Sequence, residues 1–357
     1  MKKKQLILGL IFLAILVGLA LYAQHVHPFD FHAFIEQFKR ADLRRIGIAA
    51  GCIYLAYIFR AVRWALLIRH NKKVGLLSLL GTQVIGFTAV ALIGRVADLI
   101  RPYLVSRKTG LPIGTQIAAY IVERLFDAGS MALIFSSVIA IAEKGSLPRQ
   151  EVFYKVAYWG LGLTALGAIF LVAVRLSGGV VAGAMEGIFG LISKDFGQTV
   201  GGKIRSFRKG LDTLRTPMDL VYTLSISLGM WGLITLAYIE IAHAFVASPE
   251  LAQMSLAKCM VILGASGGAS VFQLPVIGWF TQIGAVAATL TGLGIPAEPA
   301  TACAATLLII TFLGIVPVGL IWAQFEHVSF RKIAAESEQA AEVATEEDQP
   351  PPEPSRA

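Results

Sequence analysis

Membrane-length apolar runs constrain this chain more than any other feature of its sequence. Hydrophobic residues make up 56% of the 357 positions, and charged residues make up only 15%. Several of the runs reach the roughly 20 residues that a helix needs to cross the hydrocarbon core of a bilayer. Every backbone polar group inside lipid must be bonded within the protein, so these runs predict helices rather than open sheets. We therefore expect an all-α polytopic membrane protein.

The apolar segments fall into two groups. Six runs are long enough for complete crossings, and they are 6–22, 46–68, 117–141, 153–174, 220–246 and 303–322. Two other segments, 74–112 and 264–296, are better explained as re-entrant hairpins, whose non-helical tips must line protein or water. We predict about six transmembrane helices plus two re-entrant hairpins, and the alternative is eight transmembrane helices.

The two predicted hairpins resemble each other when the sequence is offset by 184 residues, which aligns 91–112 with 275–296. The aligned positions include Gly94 with Gly278, Asp98 with Gln282, Gly110 with Gly294 and Pro112 with Pro296. One hairpin would enter from the cytoplasm and the other from outside, so the repeats would be inverted. Inverted repeats with broken helices are a recurring plan in transporters. The alternative is chance similarity between two glycine-rich membrane segments.

Charge outside the apolar runs predicts the topology. Basic residues such as Lys72 and Lys73 predict that their loop is cytoplasmic, and the same rule predicts that both termini are cytoplasmic. Lys39 and Arg40 argue against this topology, because they lie in the predicted outer loop. Residues 1–330 form the predicted transmembrane domain, with amphipathic helices in the membrane interface near 30–45 and 180–215. The acidic, proline-rich segment 331–357 is predicted to be a disordered cytoplasmic tail.

Two charged clusters interrupt the apolar runs, at Gly94–Pro102 and at Glu123–Asp127. Ionised side chains at membrane depth are costly, and they normally face an interior cavity on a substrate or ion path. Arg60 and Arg63 lie three residues apart on one helix face, where they either extend to the interface or line a polar cavity. Gln282 is added because it aligns with Asp98 in the 184-residue offset. The candidate binding residues are Arg60, Arg63, Arg95, Asp98, Arg101, Glu123, Arg124, Asp127 and Gln282.

These charges suggest a binding chemistry. We expect the carboxylates of Glu123 and Asp127 to orient Arg95 or Arg101, which leaves at least one guanidinium free to bind a phosphate with two parallel hydrogen bonds. The alternative is an ion-pair network that only holds the first hairpin to the next helix.

The two clusters also carry a family resemblance. The residues Gly94–Leu104, together with Glu123–Asp127, resemble the signature of the lysylphosphatidylglycerol synthase transmembrane-region family, and the similarity extends over about 46–322. The segment Leu274–Gly278 resembles the second Pro-Gly hairpin of that family. The resemblance implies a flippase-like protein of the bacterial cytoplasmic (inner) membrane that handles lipids or lipid-linked intermediates. The positions it carries over are Arg95, Asp98, Arg101, Glu123, Arg124 and Asp127.

Three functions follow as hypotheses. The first is a transporter that moves an anionic phospholipid or polyprenyl-linked intermediate. The second is a non-catalytic membrane partner of a lipid-modifying enzyme or glycosyltransferase, and the third is membrane-embedded transferase chemistry at Glu123 and Asp127. Enzymatic activity is not expected, because the larger relatives carry aminoacyl transfer in a separate soluble domain and no nucleophile–base pair, metal-ligand set or cofactor loop stands out here. No cofactor, metal or nucleic-acid partner is expected either.

Overall fold

The structure is a computed structural model that describes residues 29–148, 150–211, 216–270 and 277–330. Regular structure in these ranges is helical throughout. The helices of nine or more residues are α1 (Phe31–Lys39), α2 (Leu43–Ile68), α3 (Leu76–Ile93), α4 (Ile100–Thr109), α5 (Ile113–Ile141), α6 (Gln150–Gly190), α7 (Lys194–Leu211), α8 (Pro217–Ala244), α9 (Leu256–Ala269), α10 (Ile277–Gly292), α11 (Ala297–Leu308) and α12 (Ile315–Phe325). The predicted first span 6–22 and the predicted tail 331–357 lie outside the described residues.

Seven helical segments of the described residues are long and apolar enough to cross a membrane. They are Leu43–Ile68, Leu76–Ile93, Ile113–Ile141, Gln150–Phe170, Val172–Gly190, Met218–Ala244 and Ala297–Phe325. The prediction of an all-α polytopic membrane protein is confirmed. Two of the seven differ from the predicted crossings. Leu76–Ile93 belongs to the segment predicted as the first re-entrant hairpin, and Val172–Gly190 overlaps the interfacial amphipathic helix predicted near 180–215. Here α6 continues past a non-helical residue at Ser177, and the interfacial position of this region stays a prediction.

Side chains that bond exposed backbone amides fix where several helices begin. The Asp42 carboxylate accepts hydrogen bonds from the backbone N–H groups of Arg44 and Arg45 at the start of α2. At the start of α8, Thr216 and Asp219 each bond the other's backbone N–H. Such caps satisfy amides that have no partner within the helix.

Contacts between helix ends define two ends of the bundle. We call the end where α2 begins the upper end: there the backbone N–H of Asp42 donates to the carbonyl of Ala244, the last residue of α8. At the lower end, where α2 finishes, His70 lies 3.0 Å from the Asp219 carboxylate near the start of α8. Helices α2 and α8 therefore run antiparallel along each other, and they form a scaffold for the rest of the bundle.

The first predicted hairpin is a folded-back unit. Helix α3 rises from the lower end and stops at Gly94, whose φ of 91° favours glycine. A 3₁₀ turn, Arg95–Leu99, then leads into α4. The Nζ atom of Lys72, just before α3, donates to the carbonyl of Thr109 at 2.6 Å, so both arms have their outer ends at the lower end of the bundle.

The second predicted hairpin, α9 and α10, has its outer ends at the upper end. His243, near the end of α8, lies 2.9 Å from the carbonyl of Met254, just before α9. After α10 the chain enters α11, where the Glu298 carboxylate accepts a hydrogen bond from the N–H of Asp30. The indole N–H of Trp279 in α10 donates to the carbonyl of Ala91 in α3 at 3.1 Å, so the inner parts of the two hairpins touch.

The backbone agrees with the 184-residue offset where each hairpin leads into the next helix. Gly110 and Gly294 both have positive φ, 69° and 90°. Pro112 and Pro296 then precede α5 and α11 with φ of −55° and −56°. That the two units are inverted relative to each other in a membrane, and that they are re-entrant, stays a prediction.

Candidate functional site

Helices α2 and α5 bring the charged groups together. Arg60 and Arg63 share one face of α2, and Glu123 and Asp127, four residues apart, share one face of α5. Arg124 lies between the two carboxylates in sequence, and α4 adds Arg101 from the first hairpin. Six charged side chains from three helices thus meet inside the bundle.

Arg63 is completely enclosed, with a side chain that is 0% exposed. Its Nη1 atom lies 2.6 Å from Asp127 Oδ1 and also donates to Ser227 of α8 at 2.8 Å. Its Nη2 atom lies 3.0 Å from Glu123 Oε1. Arg63 therefore ties α2 to both α5 and α8 through charge-assisted contacts.

Arg101 is also fully buried, and it fastens the first hairpin to α5. Its Nη1 atom donates to Glu123 Oε1 and to Gln83 Oε1, both at 3.1 Å. The guanidinium carbon lies 4.4 Å from the ring centre of Phe87 and 5.2 Å from that of Tyr120, within the range of cation–π attraction. A methyl group at Gly86 would collide with the Arg101 side chain, so glycine leaves the space through which this arginine passes.

Arg60 and Arg124 are the arginines of the cluster that retain exposure. The Nη2 atom of Arg124 lies 2.6 Å from Glu123 Oε1 and 3.0 Å from Asp127 Oδ2. Arg60 approaches the same two carboxylates only to 3.9 Å, and its Nη1 atom makes no hydrogen bond to any described residue. The Arg60 guanidinium instead lies 4.7 Å from the ring centre of Phe87.

The cluster carries more positive than negative charge. Four guanidinium groups meet two carboxylates, Glu123 and Asp127, which leaves an excess of two positive charges among these six groups. Buried donors that lack partners are unusual and costly. Within the described part of the structure, the Nη1 atom of Arg60 and the Nε atom of Arg124 are two donors without a hydrogen-bond partner. Excess charge and unpaired donors both fit an anionic ligand.

A cavity of about 230 Å³ lies next to this cluster. Arg60, Arg124 and Asp127 line it, together with Asp98 of the first hairpin and Gln282 of the second. Residues of α8 also line it, including Trp231, whose indole N–H donates to Asp127 Oδ1 at 3.2 Å. The charged cluster therefore faces a chamber to which both hairpins contribute.

The predicted site residues fall into three groups. Arg60, Asp98, Arg124, Asp127 and Gln282 line the cavity, whereas Arg63, Arg101 and Glu123 do not line it and are completely or almost completely buried. The side chain of Arg95 lies outside the described part of the structure. Of the two arginines predicted to present a free guanidinium, Arg101 is buried and bonded to Glu123, and the prediction for Arg95 is untested. Arg60 and Arg124 are the arginines that line the cavity among the described side chains. Ligand binding by any of these residues stays a prediction.

Sequence reasoning missed several partners of the charged groups. Gln83 and Ser227 were overlooked, although each is a polar residue inside an apolar run and could have been found by that signal. Phe87, Tyr120 and Trp231 contact the cluster through rings or an indole N–H. Aromatic residues are common in membrane helices, so nothing in the local sequence distinguishes these three.

Comparison with known proteins gives one match. No curated protein and no solved structure matches the chain significantly. The family model described as the lysylphosphatidylglycerol synthase TM region matches residues 6–319, which is most of the sequence. With its seven apolar helices long enough to cross a membrane among the described residues, the protein is an integral membrane protein that belongs to the lysylphosphatidylglycerol synthase TM region family.

Proposed function

We propose that this protein moves an anionic phospholipid or lipid-linked intermediate across the bacterial cytoplasmic membrane. The phosphate of the headgroup binds to Arg60 and Arg124 in the central cavity, while the acyl or prenyl chains stay in the bilayer. The observation that carries the proposal is the cavity itself, which is lined by both hairpins and by two arginines. Each of these arginines has a donor with no hydrogen-bond partner among the described residues.

The buried ion pairs support this assignment by explaining how the arginines are held. Arg63 and Arg101 anchor Glu123 and Asp127, and these carboxylates in turn bond Arg124. A guanidinium whose position is fixed in advance loses less conformational freedom when it binds a ligand. An ion-pair network that holds the first hairpin to α5 is thus compatible with a binding role for the arginines at its edge.

The arrangement of the hairpins supports a transport mechanism. Lys72 bonds Thr109 at the lower end, whereas His243 contacts Met254 at the upper end, so the two hairpins have their outer ends on opposite sides of the cavity. In inverted-repeat transporters, exchange of two such units opens a central site first to one side of the membrane and then to the other. We propose the same exchange here, with both termini in the cytoplasm.

Fluorescent-lipid translocation in proteoliposomes tests the proposal. Purified protein is reconstituted with phosphatidylglycerol that carries a fluorophore on an acyl chain, and a membrane-impermeant reductant reports how much of it reaches the outer leaflet. We expect translocation by the unaltered protein and at least a tenfold slower rate in Arg60→Gln and Arg124→Gln, because a charge-assisted contact contributes about 1.5–3 kcal/mol. Lys39→Gln, which removes an exposed charge on α1, is the matched control.

Two results would contradict transport. One is an absence of translocation of every headgroup in a panel by folded protein, and the other is an equal rate in the Arg60, Arg124 and Lys39 variants. In the first case, loss of cellular function on deletion of the tail 331–357 would favour the hypothesis of a membrane partner for a lipid-modifying enzyme or glycosyltransferase. Covalent change in a lipid incubated with the purified protein would favour transferase chemistry.

A further inference from the structure

A wide helical turn interrupts the last membrane-length segment of the described residues. Ala297–Phe325 is long and apolar enough to cross a membrane, but its middle part, Ile309–Leu313, is π-helical rather than α-helical. The backbone N–H of Gly314 accordingly donates to the carbonyl of Ile309, five residues earlier, at 2.6 Å. Such a turn holds one more residue than an α-helical turn, and π turns inside α-helices are frequent at functional sites. We call Ile309–Leu313 the π segment.

Neighbouring side chains bond the backbone beside the π segment. Pro317 has no backbone N–H, so the carbonyl four residues before it lacks its usual donor within the helix. The next carbonyl, that of Gly314, accepts a hydrogen bond from the Tyr54 hydroxyl of α2 at 2.9 Å. The carbonyl of Ile315 accepts one from the Thr88 hydroxyl of α3 at 3.3 Å. A break in a membrane helix is tolerated where neighbouring helices supply such bonds.

The π segment separates two halves that pack against different hairpins. Helix α11, before it, packs against α10 of the second hairpin, and α12, after it, packs against α3 of the first. The second contact is close, because a methyl group at Gly319 would collide with the Thr88 side chain. The Nζ atom of Lys108 in α4 also donates to Glu326, the residue after α12, at 2.5 Å. Helix α12 is therefore attached to the first hairpin and α11 to the second.

The π segment also lies at the cavity. Thr311 and Phe312 line the cavity together with Asp98 of the first hairpin and Gln282 of the second. Sharp kinks in helices concentrate at prolines and at π-helical turns, where the regular series of hydrogen bonds is already interrupted. A change in the angle between α11 and α12 at this point would move the two hairpins relative to each other and would change the shape of the cavity.

We infer, on the basis of the proposed function, that the π segment is the hinge of the transport cycle. The first hairpin moves with α12, the second hairpin moves with α11, and the angle between the two helices changes at Ile309–Leu313. Hinges are commonly a few residues at the ends of elements that stay rigid, which matches the position of this segment between two packed helices. The movement can be measured separately from transport.

Deleting Leu313 tests the hinge by straightening the helix. Because a π turn contains one extra residue, the deletion makes the bond between Gly314 and Ile309 α-helical and leaves the faces of α11 and α12 in place. Pro317→Ala is added to remove the proline beside the break. We expect lipid translocation in proteoliposomes to be about tenfold slower, because bending a continuous helix breaks at least one buried backbone hydrogen bond. Leu313→Ala with Pro317→Ala, which keeps the chain length, is the matched control and should translocate normally.

Distances between spin labels test the hinge without transport. The labels are attached to Leu77→Cys in α3 and Thr291→Cys in α10, two exposed positions near the outer ends of the two hairpins. The three native cysteines are replaced by alanine in this background. In vesicles that contain phosphatidylglycerol, we expect two distance populations for the protein of unaltered length and one population for the variant that lacks Leu313.

Gly314→Ala keeps the test informative if the deletion prevents folding. The added methyl group would lie 3.2 Å from the carbonyl oxygens of Ile309 and Ile310, so it crowds the wide turn. We expect the proportions of the two distance populations to change. Gly284→Ala, on α10, is the control, because no atom lies within 4 Å of a methyl group there and the proportions should stay as they are.

Three results would overturn the hinge. They are a single distance population in the protein of unaltered length, unchanged populations in both the Leu313 deletion and Gly314→Ala, and normal translocation by a folded deletion variant. Failure of the proposed function looks different. Two populations that become one in the deletion variant, without translocation of any lipid, would support the hinge and contradict transport.

Discussion

Arg63 and Asp127, which are 64 residues apart in the sequence, are joined by a 2.6 Å contact between Nη1 and Oδ1 inside the bundle. The Arg63 side chain is fully buried, and that of Asp127 is 8% exposed. This contact connects α2 to α5, and Asp127 also lines the cavity. It therefore links the stability of the fold to the position of the arginines that line the cavity.

Replacing Arg63 with methionine should strongly destabilise the protein. The substitution keeps most of the side-chain volume but leaves Asp127 without its nearest counter-ion, and breaking a buried pair in this way costs roughly 3–5 kcal/mol. Thermal unfolding in detergent measures the loss. Arg60→Gln, which removes a guanidinium 3.9 Å from the same carboxylate, should lower the unfolding temperature much less. Equal losses in the two variants would contradict the conclusion that Arg63 stabilises the fold more than Arg60 does.

Gly86→Ala should disturb the site from a position that carries no charge. The new methyl group would overlap the Arg101 side chain and force it away from Glu123, at a cost of about 1–3 kcal/mol for overpacking. Binding of phosphatidylglycerol should weaken as well, because Glu123 also bonds Arg124. Gly51→Ala is the control, since no atom lies within 4 Å of a methyl group there. An unfolding temperature for Gly86→Ala as high as that of Gly51→Ala would show that the space is not needed.

Trp279→Phe tests the contact between the two hairpins. An aromatic side chain is retained, although the phenyl ring is smaller than the indole. The carbonyl of Ala91 loses its donor, which should lower the free energy of unfolding by about 1 kcal/mol. Trp159→Phe makes the same change on a side chain that is 79% exposed, and it should have no effect on unfolding. If the lipid translocation rate changes for Trp279→Phe and not for Trp159→Phe, contact between the hairpins is part of the transport cycle.

Labelling from one side of the membrane tests the inverted arrangement. Exposed Lys73 and Gln253 lie just before α3 and α9, the first arms of the two hairpins. In a background where Cys52, Cys259 and Cys303 are replaced by alanine, an impermeant maleimide outside intact cells should label Gln253→Cys and not Lys73→Cys. Labelling of both positions from the same side would contradict opposite entry of the hairpins.

Much of the fold could be predicted from local sequence. Apolar length predicted the membrane helices, because the thickness of the bilayer sets the number of residues required. Gly110 and Pro112 indicated a break between helices that recurs at Gly294 and Pro296. Glycine tolerates the positive φ of such a break, and the fixed φ of proline suits the start of a helix. The charged clusters drew attention to α4 and α5 because ionised groups are rare at membrane depth.

The sequence by itself determined that this chain is an all-helical membrane protein with charges buried at two places, because backbone hydrogen bonding and the cost of charge in lipid act through composition and local spacing. Only the tertiary structure decided which arginines face the cavity. Arg60 and Arg63 are both on one face of α2, and their difference in exposure comes from the side chains of α5 and α8 that pack against them. Which partners a charge meets depends on contacts between residues far apart in the chain, and no local pattern records those contacts.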